Sequence, residues 1–495
     1  MATTPETRVK VAIVGSGFAG LGMAIRLKRA GLDDFVILER AADIGGTWRD
    51  NSYPGCACDV ESDLYSFSFA LNPDWTRKYA PQAEIQGYLK RCAARFGILP
   101  HVQFGREVLG AAWDERAAEW NIATTRGPLR SSVLVLGNGP LSDPIIPDLP
   151  GLATFEGDVF HSASWRHDLD LAGRDVAVVG TGASAIQFVP RIQPGVRQLH
   201  LFQRTPPWVL PRRDHAVPRW QQRLFRAVPV AQRVARARLY LQHELFLLFF
   251  RHPGWMTRVE AFARRGLRKW INDPAKREKL TPDYTMGCKR VLLSDDYLPA
   301  LDMPNVNVVT AALESIRPRS VVDADGGEHR ADVIIFGTGF RPTDPPLAPC
   351  IRGRHGHTLA ETWRGSPTAY LGTTVTGFPN LFILLGPNTG LGHSSVVFMI
   401  EAQIAQVMLV LRELDRRGVP ALEPSADAEA RYIADVESRM RNTVWVAGRC
   451  MSWYLDRTGR NSSLWPDFTW RFRRRLSRLI RGDYLSVHRA ASNAG

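Results

Sequence analysis

The residues best placed to do chemistry are glycines. Gly15, Gly17 and Gly20 follow the apolar run Val9 to Val14 and open a helical pattern that lasts to Ala30. The next apolar run, Phe35 to Leu38, ends at Glu39, nineteen residues after Gly20. In that order the turn lets backbone N–H groups approach a pyrophosphate at a helix N-terminus. The acid can then accept hydrogen bonds from both hydroxyls of an adenosine ribose. The pattern predicts an FAD site. A second unit starts at Asp175, with a run to Val179, the turn Gly180-Thr181-Gly182-Ala183-Ser184-Ala185 and a run over Leu199 to Gln203. Nineteen residues after Ala185 stands Arg204, followed by Thr205. A carboxylate there would repel a 2′-phosphate, whereas Arg binds one through paired charge-assisted hydrogen bonds. The second site is therefore expected to take NADPH in preference to NADH.

Two further stretches carry a family likeness. One is Gly45-Gly46-Thr47-Trp48, then Tyr53-Pro54-Gly55, then Asp59. The other is Phe155, Gly157, His161 and Trp165. With Pro144, Pro147, Pro150-Gly151 and Gly386-Pro387-Asn388, they make nearly the whole chain resemble the Baeyer–Villiger monooxygenases. These are class B flavoprotein monooxygenases, related to the flavin-containing monooxygenases. The resemblance implies oxygen insertion beside a ketone carbonyl by way of a C4a-peroxyflavin, giving an ester or lactone. It also implies that Arg290 lies by the flavin as the catalytic cation, with Asp59 holding it. Lys289 would reach the NADPH 2′-phosphate, Trp453 would lie near the nicotinamide ribose, and Thr47, Trp48 and Asp59 would sit at the flavin. His161 is read as a structural link between domains. One position departs from the pattern: Arg166 follows Trp165, where a basic residue is more usual in S- or N-oxygenating relatives. Heteroatom oxygenation stays open as an alternative, and so does a flavin redox sensor without turnover.

These residues need a scaffold of two α/β units. The expected fold is α/β, with two Rossmann-like dinucleotide-binding domains, one for FAD and one for NADPH. Two more apolar runs end in glycine, Val133 to Gly139 and Val333 to Gly339. They place the first FAD-binding part over 1–140, the NADPH-binding part over 141–330, and the rest of the FAD-binding domain over 331–495. Between Pro218 and Leu280 the strand pattern gives way to a basic, aromatic stretch of helical period, punctuated by Pro229, Pro253 and Pro274. This is expected to be a helical insertion in the second domain. A helix is also expected from Ala402 to Arg417.

Composition bounds the rest. The chain has 495 residues, 45% hydrophobic and 23% charged, which is globular. Its net charge is +14, with the basic residues spread along the chain and no nucleic-acid motif beside them, so nucleic acid is not an expected partner. O2 and a ketone or thioether are. Arg471, Arg473, Arg474, Arg475, Arg478 and Arg481, interleaved with apolar residues, suggest a weak peripheral contact with an anionic membrane. Leu239 to Phe250 is too short to span a bilayer, and no signal segment is seen, so the expected location is the cytoplasm. The six cysteines form no Cys-x-x-Cys pair. Metal and disulfide-redox readings therefore lack support, and Cys56 and Cys58 read as ordinary thiols.

Overall fold

A computed structural model describes residues 7–448 and 450–490. The first unit is β1 (Thr7–Val14), α1 (Phe18–Arg29) and β2 (Phe35–Glu39). It is followed by α2 (Thr47–Asp50), α3 (Gln82–Arg95), β3 (Val102–Phe104), β4 (Val108–Asp114), β5 (Glu119–Thr124) and β6 (Leu129–Leu136). β1 lies between β6 and β2, parallel to both, and Val11 to Val14 are buried. Apolar residues on both faces are what an interior parallel strand requires. Antiparallel β4 and β5 extend this sheet beyond β6.

The second unit starts with β7 (Asp158–His161), β8 (Asp175–Val179), α4 (Ala185–Ile192) and β9 (Gln198–Phe202). Four helices follow: α5 (Arg219–Ala227), α6 (Pro229–Arg251), α7 (Pro253–Trp270) and α8 (Pro274–Lys279). The expected helical insertion is thus helical. Its three prolines are the first residues of α6, α7 and α8, where a missing N–H costs nothing and the fixed φ suits the helix. The chain then adds β10 (Val306–Val309) and β11 (Val333–Phe336). The second sheet has five parallel strands in the order β10-β9-β8-β11-β7.

That order corrects one expectation. The sequence places Val333–Phe336 in the returning first unit, yet it pairs with β7 and β8 of the second. Reciprocal bonds fix it there: Asp332 N–H donates to the Asp175 carbonyl at 2.8 Å, and Asp175 N–H to the Asp332 carboxylate at 2.9 Å. A short apolar strand ending in glycine fits either sheet, and only the tertiary neighbour decides. The chain returns just afterwards, where Ile145 N–H donates to the Gly339 carbonyl and the two crossing segments run side by side. β12 (Ile351–Arg352) and β13 (Leu381–Ile383) then join the first sheet on β4 and β6.

α9 (Val396–Arg417) covers the first sheet beside α1. Ser395 caps its start, and Gly418, at φ +61°, ends it in the left-handed region. α10 (Thr469–Leu476) buries Phe472 and Leu476, while Arg471 pairs with Asp467 and Arg475 with Asp435. The C-terminal basic stretch therefore turns these apolar side chains inward. Among the described residues no helix is long and apolar enough to cross a membrane.

Candidate functional site

Two of the three glycines of the first turn, Gly15 and Gly20, are held by close backbone approach, while a Cβ on Gly17 would make only ordinary contacts. Gly15 has φ +91°, and a Cβ there would sit 3.0 Å from Asn138 Cα. A Cβ on Gly20 would overlap the Gly15 carbonyl oxygen, so α1 can start this close to the turn only without a side chain. No side chain caps the N-terminus of α1. The turn forms one wall of a cavity of about 390 Å³, together with Glu39, the 45–50 loop, Gly137 to Asn138, Arg290 and Trp453. An uncapped helix start, a glycine cradle and a buried acid on one wall fit the diphosphate and ribose of a dinucleotide.

Glu39 is buried, at 3% exposure. It accepts from Ser16 N–H at 2.9 Å, from Ser16 Oγ at 2.7 Å and from Ala41 N–H at 2.9 Å. It also accepts from Arg49 Nη1 at 2.9 Å. Burial opposes the Arg49 charge, but Asp50 and Glu39 outweigh it and raise the pKa. Sequence reading missed Arg49, although its place directly after Thr47-Trp48 was a usable signal. Thr47 opens the short α2, and Trp48 donates from Nε1 to Tyr65 Oη at 3.1 Å; both line the cavity.

The Tyr53-Pro54-Gly55 segment joins the two units. Tyr53 Oη donates to Gln187 Oε1 at 3.2 Å, and its ring packs edge-on to Phe188 of α4. A Cβ on Gly55 would lie 2.7 Å from the Gln187 carbonyl oxygen. Four residues on, Asp59 accepts from Arg290 Nε at 2.9 Å, and Arg290 Nη2 bonds to the same oxygen. The first fingerprint thus runs from the cavity wall, over α4, to the charged pair. Burial works against ionisation of Asp59, but the Arg290 charge and hydrogen bonds hold its carboxyl below the usual range. The Asp59 charge, in turn, raises the Arg290 pKa despite burial. Tyr454, buried at 1% exposure, lies in the field of Arg290. Burial pushes its hydroxyl up to about 12, with Arg290 pulling the other way. Nothing in its sequence context singled it out beside Trp453, which is 46% exposed and packs on its ring.

At the second turn Gly180 has φ +107°, and a Cβ would be 2.5 Å from the Gly337 carbonyl oxygen. Gly182 has nothing within 4 Å of that position. Ser184 stands at the start of α4 without making a side-chain cap. Arg204 is exposed, and Thr205, next to it, accepts a long 3.5 Å hydrogen bond from Thr181 Oγ1. Lys289 sits over the Tyr284 ring, 4.8 Å from its centre. Burial lowers the Lys289 pKa, and the nearby Arg204 charge lowers it further. Neither cation forms an ion pair among the described residues. Two unneutralised cations beside a glycine turn suit a phosphate monoester.

The second fingerprint is structural in position. A Cβ on Gly157 would overlap the Asp332 carbonyl oxygen, and Trp165 packs on Phe160 and Phe188. His161 is 2% exposed, accepts from Ala163 N–H at 3.1 Å and stands edge-on to Phe340. Burial lowers its pKa to about 4, so it is neutral at pH 7. Arg166, the departure from the family pattern, is 45% exposed and paired with Asp158 and Asp168 on the surface.

Two cysteines form a bridge that the sequence did not show. Cys288 and Cys450 form a disulfide, with their Cα atoms 6.2 Å apart and 162 residues between them. It ties the Lys289-Arg290 loop to the segment carrying Trp453. A pair so distant in sequence leaves no spacing motif to read. Cys56, Cys58, Cys92 and Cys350 are free, and the first three are buried.

A dinucleotide-type turn on a cavity wall, joined to a second such turn through Tyr53 and Gly55, defines an oxidoreductase scaffold with two nucleotide sites. The sequence profile of the family "Flavin-binding monooxygenase-like" matches residues 8–353, and the chain belongs to that family. It is 52% identical over 98% of its length to a Baeyer–Villiger monooxygenase of Streptomyces coelicolor, covering 94% of that protein. A Baeyer–Villiger monooxygenase of Pseudomonas aeruginosa is 50% identical over 94% of the chain and 89% of its own. The fold superposes on the NADP+-bound cyclohexanone monooxygenase of Rhodococcus sp. Phi1 with a TM-score of 0.88. There the identity is 28%, and the likeness covers 98% of this chain and all of that one.

Proposed function

We propose that this enzyme is an NADPH-dependent Baeyer–Villiger monooxygenase, which inserts one oxygen atom of O2 beside the carbonyl of a small-molecule ketone. The observation that carries the reading is the Arg290–Asp59 pair, with Arg290 on the wall of the cavity that the first glycine turn also lines. Bound FAD supplies hydride acceptance from NADPH, activation of O2 and delivery of one oxygen atom, the other leaving as water. The chain supplies charge, orientation and dryness. Gly15, Gly17, Gly20, Glu39, Thr47 and Trp48 hold the flavin nucleotide. Gly180, Gly182, Ser184, Arg204, Thr205, Lys289 and Trp453 hold NADPH, with Arg204 and Lys289 on its 2′-phosphate. Arg290 keeps a permanent positive charge against the negative charge that develops on oxygen as the carbonyl is attacked. Asp59 fixes the plane of its guanidinium. His161 is given no proton to move: burial lowers its pKa, and it packs against Ala163 and Phe340.

The heteroatom reading rested on Arg166, which the structure spends in surface ion pairs. We divide the chain into a first unit over about 1–140, a second to about 340 that includes the insertion, and the returning first unit. We place the enzyme in the cytoplasm on its use of NADPH. The test is NADPH consumption with a panel of ketones and thioethers, with products identified by GC–MS. Ketone-stimulated consumption with ester or lactone is expected. Sulfoxide formation with no ester from any ketone overturns the reading.

A further inference from the structure

We propose that the helical insertion is a docking surface for an anionic lipid bilayer. Basic residues occur all along the chain, but the acidic ones are sparse in one stretch, so the net charge is concentrated: residues 218–280 hold 15 Lys and Arg against four Asp and Glu, a net +11 of the chain's +14. The same stretch holds half of the large apolar side chains that are exposed among the described residues, 11 of 22. On α6, Val230, Val234, Ala237, Leu241 and Leu245 recur at helical spacing and form one outward stripe. The four larger residues are each 60–63% exposed. α5 packs beside it and exposes Trp220 and Leu224, each directly after an arginine, Arg219 and Arg223. α7 follows with Trp255 and Phe262 on the same face as Arg258, Arg265 and Lys269.

Arg219, Arg223, Arg233, Arg238, Arg258 and Arg265 are exposed and form no ion pair among the described residues. Fold stability does not account for an apolar stripe turned to water with unpaired arginines on either side. Interfacial helices have this composition: the apolar stripe enters the acyl boundary, and the arginines reach up to phosphate. Each cation at an anionic surface strengthens partitioning about five-fold. A second copy of the chain is a poor occupant, because it would set +11 against +11. The contact is peripheral, since no described helix can cross the bilayer. It is independent of the ketone reading.

The insertion is anchored well enough to carry such a load. His243 of α6 bonds to the Glu61 carboxylate at 2.7 Å and to the His393 carbonyl, while Gln232 donates to the Asn72 carbonyl at 2.7 Å. A second cavity, of about 450 Å³, opens between α5, α6 and the 61–78 segment, with Val234 and Arg238 on its lining.

The experiment is co-sedimentation of the FAD-loaded holoenzyme with vesicles. One set is phosphatidylcholine alone, and the other is equal parts phosphatidylcholine and phosphatidylglycerol. Binding to the anionic vesicles alone is expected, lost in about 1 M salt, where the screening length falls to about 3 Å. The double variant Leu241→Gln, Leu245→Gln and the double variant Arg233→Glu, Arg238→Glu should each release the protein. NADPH oxidation with a water-soluble ketone should stay unchanged in both, since none of these side chains lies at the cavity of the charged pair. Equal binding to both vesicle types overturns the proposal, as does a holoenzyme that stays in the supernatant. A dimer in solution that the Leu241→Gln, Leu245→Gln change splits, with no vesicle binding, assigns the stripe to a second copy instead.

Discussion

At the scale of single residues, the proposed chemistry rests on two arginines, Arg290 and Arg204. Arg290 has one carboxylate partner, and that partner occupies Nε and Nη2, leaving Nη1 unengaged by Asp59. Arg290→Ala should keep its FAD and lose about two to three orders of magnitude in ester-forming turnover, the usual cost of one missing oxyanion donor. Arg290→Lys should recover only part, because a point charge on a flexible stem cannot keep the two-bond geometry with Asp59. Ester yield and bound-flavin absorbance, read on the same preparations, check both. Arg204, exposed beside the second glycine turn, is the residue proposed for the NADPH 2′-phosphate. Arg204→Ala should raise the KM for NADPH roughly ten- to a hundredfold and leave that for NADH nearly alone, the loss of one charge-assisted phosphate contact. Equal changes for both coenzymes would remove it from the 2′-phosphate.

At the scale of elements, the two glycine turns look alike in sequence and differ in packing. A methyl on Gly20 meets the Gly15 carbonyl, whereas a methyl on Gly182 meets nothing within 4 Å. Gly20→Ala should therefore destabilise the protein by about 1–3 kcal/mol, as overpacking does, and empty the flavin site. Gly182→Ala should leave the melting temperature unchanged and act on NADPH affinity alone. Thermal unfolding with and without each cofactor separates the two. The Cys288–Cys450 bridge joins two loops at the same end of the molecule. Protein purified in air should show four free thiols in denaturant and six after reduction. In a reducing cytoplasm the pair would stand open.

At the scale of the whole molecule, a buried and a half-buried histidine, His161 and His200, are expected to set the acid limit. His161 and His200 both have their pKa lowered to about 4, burial being the main cause in each. Their unfolded value is about 6.5. A native pKa below the unfolded one means that the unfolded chain takes up protons first. The stability tied to these residues is whole above about pH 6.5 and is lost as pH falls toward 4. His243 runs the other way: Glu61 raises its pKa against the effect of burial, so its contribution is whole in acid and fades as pH rises. Melting temperature should fall across the 6.5 to 4 window, and His200→Asn should flatten that fall. A fall of the same steepness in the variant would show that other groups set the limit.

What the sequence determined by itself was local. Strand, glycine turn, helix and terminal residue lie within a few dozen positions of each other, and backbone sterics make that order readable without neighbours. The prolines that start α6, α7 and α8 were legible for the same reason. Tertiary structure alone decided what comes from afar. Asp59 and Arg290 are 231 positions apart, and only the family resemblance put them together before the fold did. Cys288 and Cys450, Tyr454 beside Arg290, and the sheet that Val333–Phe336 joins left no local mark. Arg49 clasping Glu39 is a different case: it directly follows Thr47-Trp48, a local signal, but its partner is fixed only by the fold. The outward stripe of α6 belongs with these. Its period was readable, but which side of a helix meets water is settled by what packs on the other side, and that depends on segments more than a hundred residues away.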